Sequence, residues 1–228
     1  MVTTISDIWR DDGTKWFKDT TIVPAGYQRI LFEDIYGYEN NIYAVGIAEK
    51  ADGDYAGIIV HYDGNKWRIL NTTQIKEYFL RIMFLNGGDI LISGQNLFEP
   101  NNPCRLYKLN DSTFTLIKKS TLDIYLGILN SKMYVDTQSK VYEYNNGILN
   151  ETLDLTNTDY AGSLWGRSIK DFFSANYGWN LGHYNGTNMI NIYHTEGYIT
   201  GSKIFENEVF FICFTLDNVF YILHGKLK

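Results

Sequence analysis

The 228-residue sequence predicts an all-β fold of the propeller type, and three observations carry that prediction. A motif of apolar strand, Gly/Asn/Asp turn and aromatic-led strand recurs about every 36 to 50 residues, the period of repeats that must stack on neighbours to bury an apolar face. It reads Ile58-Ile59-Val60-His61-Tyr62-Asp63-Gly64-Asn65-Lys66-Trp67, then Val141-Tyr142-Glu143-Tyr144-Asn145-Asn146-Gly147, then Leu181-Gly182-His183-Tyr184-Asn185-Gly186-Thr187. Short apolar runs of strand length accompany each copy, and turn signals separate them.

With the turn glycines as anchors, the first repeat divides into four strands: Arg29 to Tyr36, Asn41 to Gly46, Gly57 to Tyr62, and Lys66 to Leu70. The second strand recurs as Ile42-Tyr43-Ala44-Val45-Gly46, Ile90-Leu91-Ile92-Ser93-Gly94, Met133-Tyr134-Val135-Asp136, Phe172-Phe173-Ser174-Ala175 and Val209-Phe210-Phe211-Ile212-Cys213. Runs this apolar suit strands covered on both faces, as blade-to-blade packing demands. The first strands end at Tyr36-Gly37, Phe84-Leu85, Ile128-Leu129, Trp165-Gly166 and Ile204-Phe205, which makes five blades. Asp63-Gly64, Asn110-Asp111, Asn146-Gly147 and Asn185-Gly186 supply the positive-φ residues of tight third-to-fourth-strand hairpins.

A single closed five-bladed propeller of four-stranded antiparallel blades is therefore expected over residues 1–228. Its blades span about 29–73, 79–121, 122–156, 160–195, and 198–228 with 15–22 added. In this scheme the N-terminal segment Lys15 to Thr20 pairs in the C-terminal blade and removes an exposed sheet edge. Asp12-Gly13 resists it, being itself a third-to-fourth-strand turn that follows a third-strand-like Ile8-Trp9-Arg10. That segment reads either as a tail on the rim or as part of a longer array.

Composition narrows the partners. A content of 45% hydrophobic and 16% aromatic residues supports a sizeable core, whereas a net charge of −6 argues against a nucleic-acid backbone as partner. No run reaches the roughly 18 apolar residues of a membrane span, and Met1-Val2-Thr3-Thr4 lacks signal-peptide regions. Cys104 and Cys213 lie in different repeats and read as buried small apolar groups. The chain is expected to be a monomer.

Leu164-Trp165-Gly166-Arg167-Ser168, Asn41-Ile42-Tyr43-Ala44-Val45-Gly46 and His61-Tyr62-Asp63-Gly64-Asn65-Lys66-Trp67 together resemble the blade of Kelch-like propellers from bacterial secreted and surface lipoproteins. The first and fourth blades carry the pattern. The others place Phe84-Leu85, Ile128-Leu129 and Ile204-Phe205 where the Trp-Gly pair belongs. The resemblance implies a propeller at a cell surface or outside the cell, with no shared catalytic residues. The five-bladed architecture also resembles tachylectin-type sugar-binding propellers, although a fold does not carry a function with it.

The search for chemistry is nearly empty. No nucleophile elbow, zinc helix motif or phosphate loop occurs, so no catalytic residue, metal ligand or cofactor is assigned. His61, His183 and His224 occupy equivalent strand ends, which points to blade geometry rather than metal ligation. Asp52-Gly53-Asp54 lacks the further carboxylates of a calcium loop. Glu33, Asp34, Asp123 and Glu206 are the candidates for a glycoside hydrolase with channel carboxylates, the alternative function. The expected function is a non-catalytic binding or scaffold module for a glycan or protein ligand. Its site is a rim of Tyr27, Tyr78, Tyr160 and Tyr198, which precede first strands, walled by two long loops carrying Asp54, Tyr55, Asn96 and Phe98.

Overall fold

A computed structural model describes residues 1–70, 75–85, 87–111 and 113–226, and only the backbone of Val2. The expected close of the first blade at 71–73 and the final residues 227–228 lie outside the described residues. Every regular element among the described residues is a strand. Three strands form an N-terminal sheet: β1 (Val2–Thr3), β2 (Asp7–Asp11) and β3 (Trp16–Thr21). The first blade comprises β4 (Arg29–Tyr38), β5 (Asn41–Glu49), β6 (Tyr55–Tyr62) and β7 (Trp67–Ile69). The second comprises β8 (Tyr78–Phe84), β9 (Ile90–Gln95), β10 (Cys104–Asn110) and β11 (Thr113–Ser120). The third comprises β12 (Tyr125–Leu129), β13 (Lys132–Asp136), β14 (Lys140–Asn145) and β15 (Ile148–Asp154). The fourth comprises β16 (Tyr160–Ser168), β17 (Asp171–Asn176), β18 (Asn180–Tyr184) and β19 (Met189–His194). A fifth blade has β20 (Gly197–Ile204), β21 (Glu208–Thr215) and β22 (Phe220–Lys226). Successive strands pair antiparallel throughout, which is the propeller-type all-β fold that the repeat predicts.

The N-terminal segment departs from the expected closure. β3 pairs with β2 rather than with β22, and among the described residues the fifth blade has no fourth strand. The reason is local. β2 and β3 are joined by a short turn in which Asp12 Oδ1 accepts the backbone N–H of Thr14 at 2.9 Å and of Lys15 at 3.0 Å. Asp63 accepts from Asn65 and Lys66, and Asn185 from Thr187 and Asn188, in the same way. The following Gly13, Gly64 and Gly186 have φ of 90°, 94° and 92°, a conformation that a Cβ would strain. Closing so short a loop costs far less chain entropy than pairing with the far end of the sequence. The β-bulge at Ile8/Trp9 repeats those at Leu106/Tyr107, Val141/Tyr142 and Leu181/Gly182 at the same rung of the third-to-fourth ladder. The N-terminal sheet is thus built like strands two to four of a blade, and Ile8-Trp9-Arg10 is its third strand.

The chain divides into two compact units, residues 1–124 and 125–228. In the first, Ile8 of the N-terminal sheet packs with Ile30, Ala44, Ala48, Ile58 and Val60 of the first blade. The opposite face of that blade, through Val45 and Ile59, meets Phe79, Ile82, Ile92 and Leu109 of the second. In the second unit, Tyr134 and Val141 meet Leu164 and Phe172, and Phe173 and Leu181 meet Val209, Phe211 and Cys213. Alternate residues of one strand thus serve two cores, which is why the second strands lack polar alternation. Cys104 and Cys213 are buried and unbridged.

A second repeat runs across the second and third strands. The residue opening strand two meets a third-strand residue on one diagonal in every blade: Asn41–His61 at 2.7 Å, Asp89–Lys108 at 2.7 Å, Lys132–Glu143 at 3.0 Å, Asp171–His183 at 2.9 Å and Glu208–His224 at 3.4 Å. The three histidines also lie against the adjacent strand-two ring, Tyr43, Phe173 or Phe210, with centroids 4.1, 4.8 and 4.4 Å apart. Their equivalence in sequence is this cross-strand pairing.

Candidate functional site

In the first unit, one end of the first two blades gathers most of the expected site residues. The β5–β6 loop turns at Asp52-Gly53, where the N–H of Gly53 bonds the Lys50 carbonyl and Asp52 Oδ1 accepts the N–H of Asp54. Asp54 emerges between two lysines, bonded to Lys50 at 2.9 Å and also to Lys76, which draw its carboxyl down to about 2. With Asp54 taken by ammonium groups and Asp52 by backbone, this turn is an ion-pair node. Lys50 in turn lies 5.7 Å from the centroid of the Tyr27 ring.

The β9–β10 loop supplies the apolar element. Asn96 Oδ1 accepts the N–H groups of Phe98 at 2.9 Å and Glu99 at 3.2 Å, so Asn96 shapes the loop from within. Asn101 and Asn102 adopt left-handed φ of 65° and 42° and bring the chain back, where Asn96 N–H meets the Pro103 carbonyl. The Tyr55 ring, itself buried, stacks under Phe98 with centroids 4.9 Å apart, and its hydroxyl accepts the Leu97 N–H at 3.2 Å. Leu97 and Phe98 nevertheless remain 42% and 61% exposed.

Behind the loop, Arg105 bridges Glu77 and Glu99, Lys119 adds to Glu99 at 3.2 Å, and the Tyr107 hydroxyl donates to Glu77 at 3.1 Å. Burial pushes the Glu77 carboxyl upward against these partners, and the Arg105 and Lys119 contacts pull Glu99 downward. Leu97, Lys76, Glu77 and Arg105 were not legible as site residues in sequence. Their only signal was charge set among apolar strand residues.

The four rim tyrosines do not share one environment. Tyr27 lies beneath Lys50, and Tyr78 is half-buried with its hydroxyl donated to Glu33. Tyr160 corrects the expectation of an exposed rim: it is 1% exposed and donates its hydroxyl to the fully buried Asp136. Its position opening β16 turns it into the core between the third and fourth blades, where the ring meets Phe172 at 6.4 Å. Tyr198 is exposed on the fifth blade.

The candidate carboxylates are likewise distributed. Asp34 fills the bulge between Phe32 and Asp34, accepting the N–H of Ile35 and of Ile82 at 2.9 Å each, and its burial raises its pKa. Glu33 is held by Tyr78, Asp123 lies 3.6 Å from the Cys104 sulfur, and Glu206 is exposed in the β20–β21 turn. No helix among the described residues is long and apolar enough to cross a membrane.

No family model and no curated protein matches the chain. Among solved structures, the chain is similar to the fucose-recognising lectin of Aleuria aurantia, a six-bladed β-propeller, with a TM-score of 0.51 and 10% identity over 96% of this chain and 84% of that one. It also matches a structure described as YCF48 bound to D1 peptide, with a TM-score of 0.42 and 11% identity over 90% of this chain and 83% of that one. The likeness to the lectin shows a β-propeller fold, in agreement with the antiparallel blades.

Proposed function

We propose that this protein is a non-catalytic binding module that takes a protein segment on the loop surface of its first two blades. The observation that supports this reading is the Leu97–Phe98 tip, exposed yet braced from below by Tyr55 and from within by Asn96. A rigid apolar tip loses little side-chain freedom on binding, and the flanking ion pairs of Lys50, Asp54, Lys76 and Glu99 form a polar border. A single contiguous patch suits a protein partner. A glycan reading would call for similar sites in several blades, and the tyrosines of successive blades differ in environment. The resemblance of the first and fourth blades to Kelch-like surface proteins supports placing this module at a cell surface.

Selection of a displayed peptide library on the wild-type protein, with Phe98→Asp as the counter-target, tests the proposal. Peptides that bind wild type and lose binding to Phe98→Asp are the expected result. A glycan array run in parallel supplies the opposing outcome: sugar binding that Phe98→Asp leaves unchanged, with no peptide enriched, overturns the protein reading.

A further inference from the structure

The fifth blade has an open face whose equivalents elsewhere in the chain are interior. Three rungs make up that face: Tyr198, Phe214 and Phe220; Gly201, Ile212 and Ile222; Lys203, Phe210 and His224. The opposite face carries Ile199, Phe211, Cys213 and Leu223 and is packed on Phe173 and Leu181 of the fourth blade. Ile212 and Ile222 sit on the rung that Val45 and Ile59 form in the first blade, Asp136 and Val141 in the third, and Ala175 and Leu181 in the fourth. In those blades a following blade packs on that face, and Val45, Ile59, Asp136 and Val141 are wholly buried. In the fifth, Ile212, Ile222, Phe220 and Tyr198 are 47%, 66%, 69% and 56% exposed. Phe214 already stacks on Phe220 at 4.6 Å, and a Cβ built on Gly201 would meet no atom within 4 Å. The face is therefore a shaped, aromatic surface with space above its first strand, larger in character than scattered single hydrophobes.

We infer that the fifth blade is a self-association surface on which a second copy of this chain docks by its own fifth blade, giving an isologous two-fold dimer. Two features select this occupant. The interface is continuous in design with the blade-to-blade contacts of the chain, in which an apolar sheet face is covered by another apolar sheet face. The other open sheet face, on the N-terminal sheet, carries Asp7, Asp11 and Lys18 around Trp9 and Trp16, with Asp7 and Lys18 paired at 2.9 Å. Covering the fifth blade with that face would strip water from charges against hydrocarbon, whereas the fifth blade against its own copy buries aliphatic and aromatic surface on both sides. The sequence-based expectation of a monomer gives way to a dimer on this ground.

Sedimentation velocity of the full chain from about 1 to 100 μM tests the inference. The wild type is expected to reach twice the chain mass, and Phe220→Glu and Ile222→Glu each to weaken association at least tenfold. Trp16→Glu, on the N-terminal sheet, is expected to leave the dimer intact, and far-UV circular dichroism checks that each variant folds. A wild type that stays monomeric throughout, or a dimer lost with Trp16→Glu and retained in both fifth-blade variants, overturns it. Hydrogen exchange on the unmodified protein gives an independent reading. Protection of β22 amides should rise with protein concentration, and concentration-independent exchange counts against the dimer.

Discussion

Asp136 offers the sharpest test of the packing between the third and fourth blades. It is wholly buried, accepts the Tyr160 hydroxyl and the Gln138 N–H, the latter at 2.7 Å, and faces the Ser163 N–H. These donors favour the carboxylate, yet desolvation outweighs them and raises the pKa from 3.8 to about 7. The folded state therefore binds the proton more tightly than the unfolded chain. Stability from this group is complete below pH 3.8, is lost as the pH rises, and has gone above about 7. At roughly 1.4 kcal/mol per pH unit, the window amounts to about 4 kcal/mol. Asp136→Asn removes the ionisation and keeps a hydrogen bond, since the Tyr160 hydroxyl can turn to accept from the amide. Urea unfolding of both proteins from pH 4 to pH 8 isolates the group, because every other titration cancels in the difference. Relative to Asp136→Asn, the wild type should lose about 4 kcal/mol across that range. A difference that stays constant with pH would refute the assignment of a neutral carboxyl in this core.

Three further outcomes follow from the same structure. Arg105→Met leaves Glu77 buried without its cation and should cost about 3–5 kcal/mol in urea melts, with part of the loss recovered in the double variant with Glu77→Gln. Gly46→Ala would set a Cβ 1.9 Å from the Leu31 carbonyl oxygen, a backbone atom that cannot move aside alone, and should destabilise by about 1–3 kcal/mol in the same assay. Phe98→Ala removes only an exposed ring stacked on Tyr55, so its thermal unfolding should shift by no more than about 1.5 kcal/mol while peptide binding is lost.

The blades were legible because their signals are local. Asp63-Gly64 and Asn185-Gly186 specify their turns through side-chain oxygens and positive φ, and strands such as Ile90–Gln95 are apolar on both faces because each face has a core to fill. The Asp12-Gly13 turn carried the same local signal, and it outweighed the expected pairing of Lys15 to Thr20 with the last blade. The site was legible only in part. Loop length singled out Phe98 and Tyr55, but their stacking depends on a 43-residue separation closed by blade packing. Spacing ahead of the first strands treated Tyr27, Tyr78, Tyr160 and Tyr198 alike, although the tertiary structure places Tyr160 against a buried acid and Tyr198 on an open sheet. By itself, the sequence determined strand order, turn type and which residues alternate between two faces, since these depend on neighbours a few positions away. Which face is covered, which carboxyl is stripped of water and which aromatic meets solvent was decided only by the stacking of one blade on another, because burial is a property of the assembled sheets.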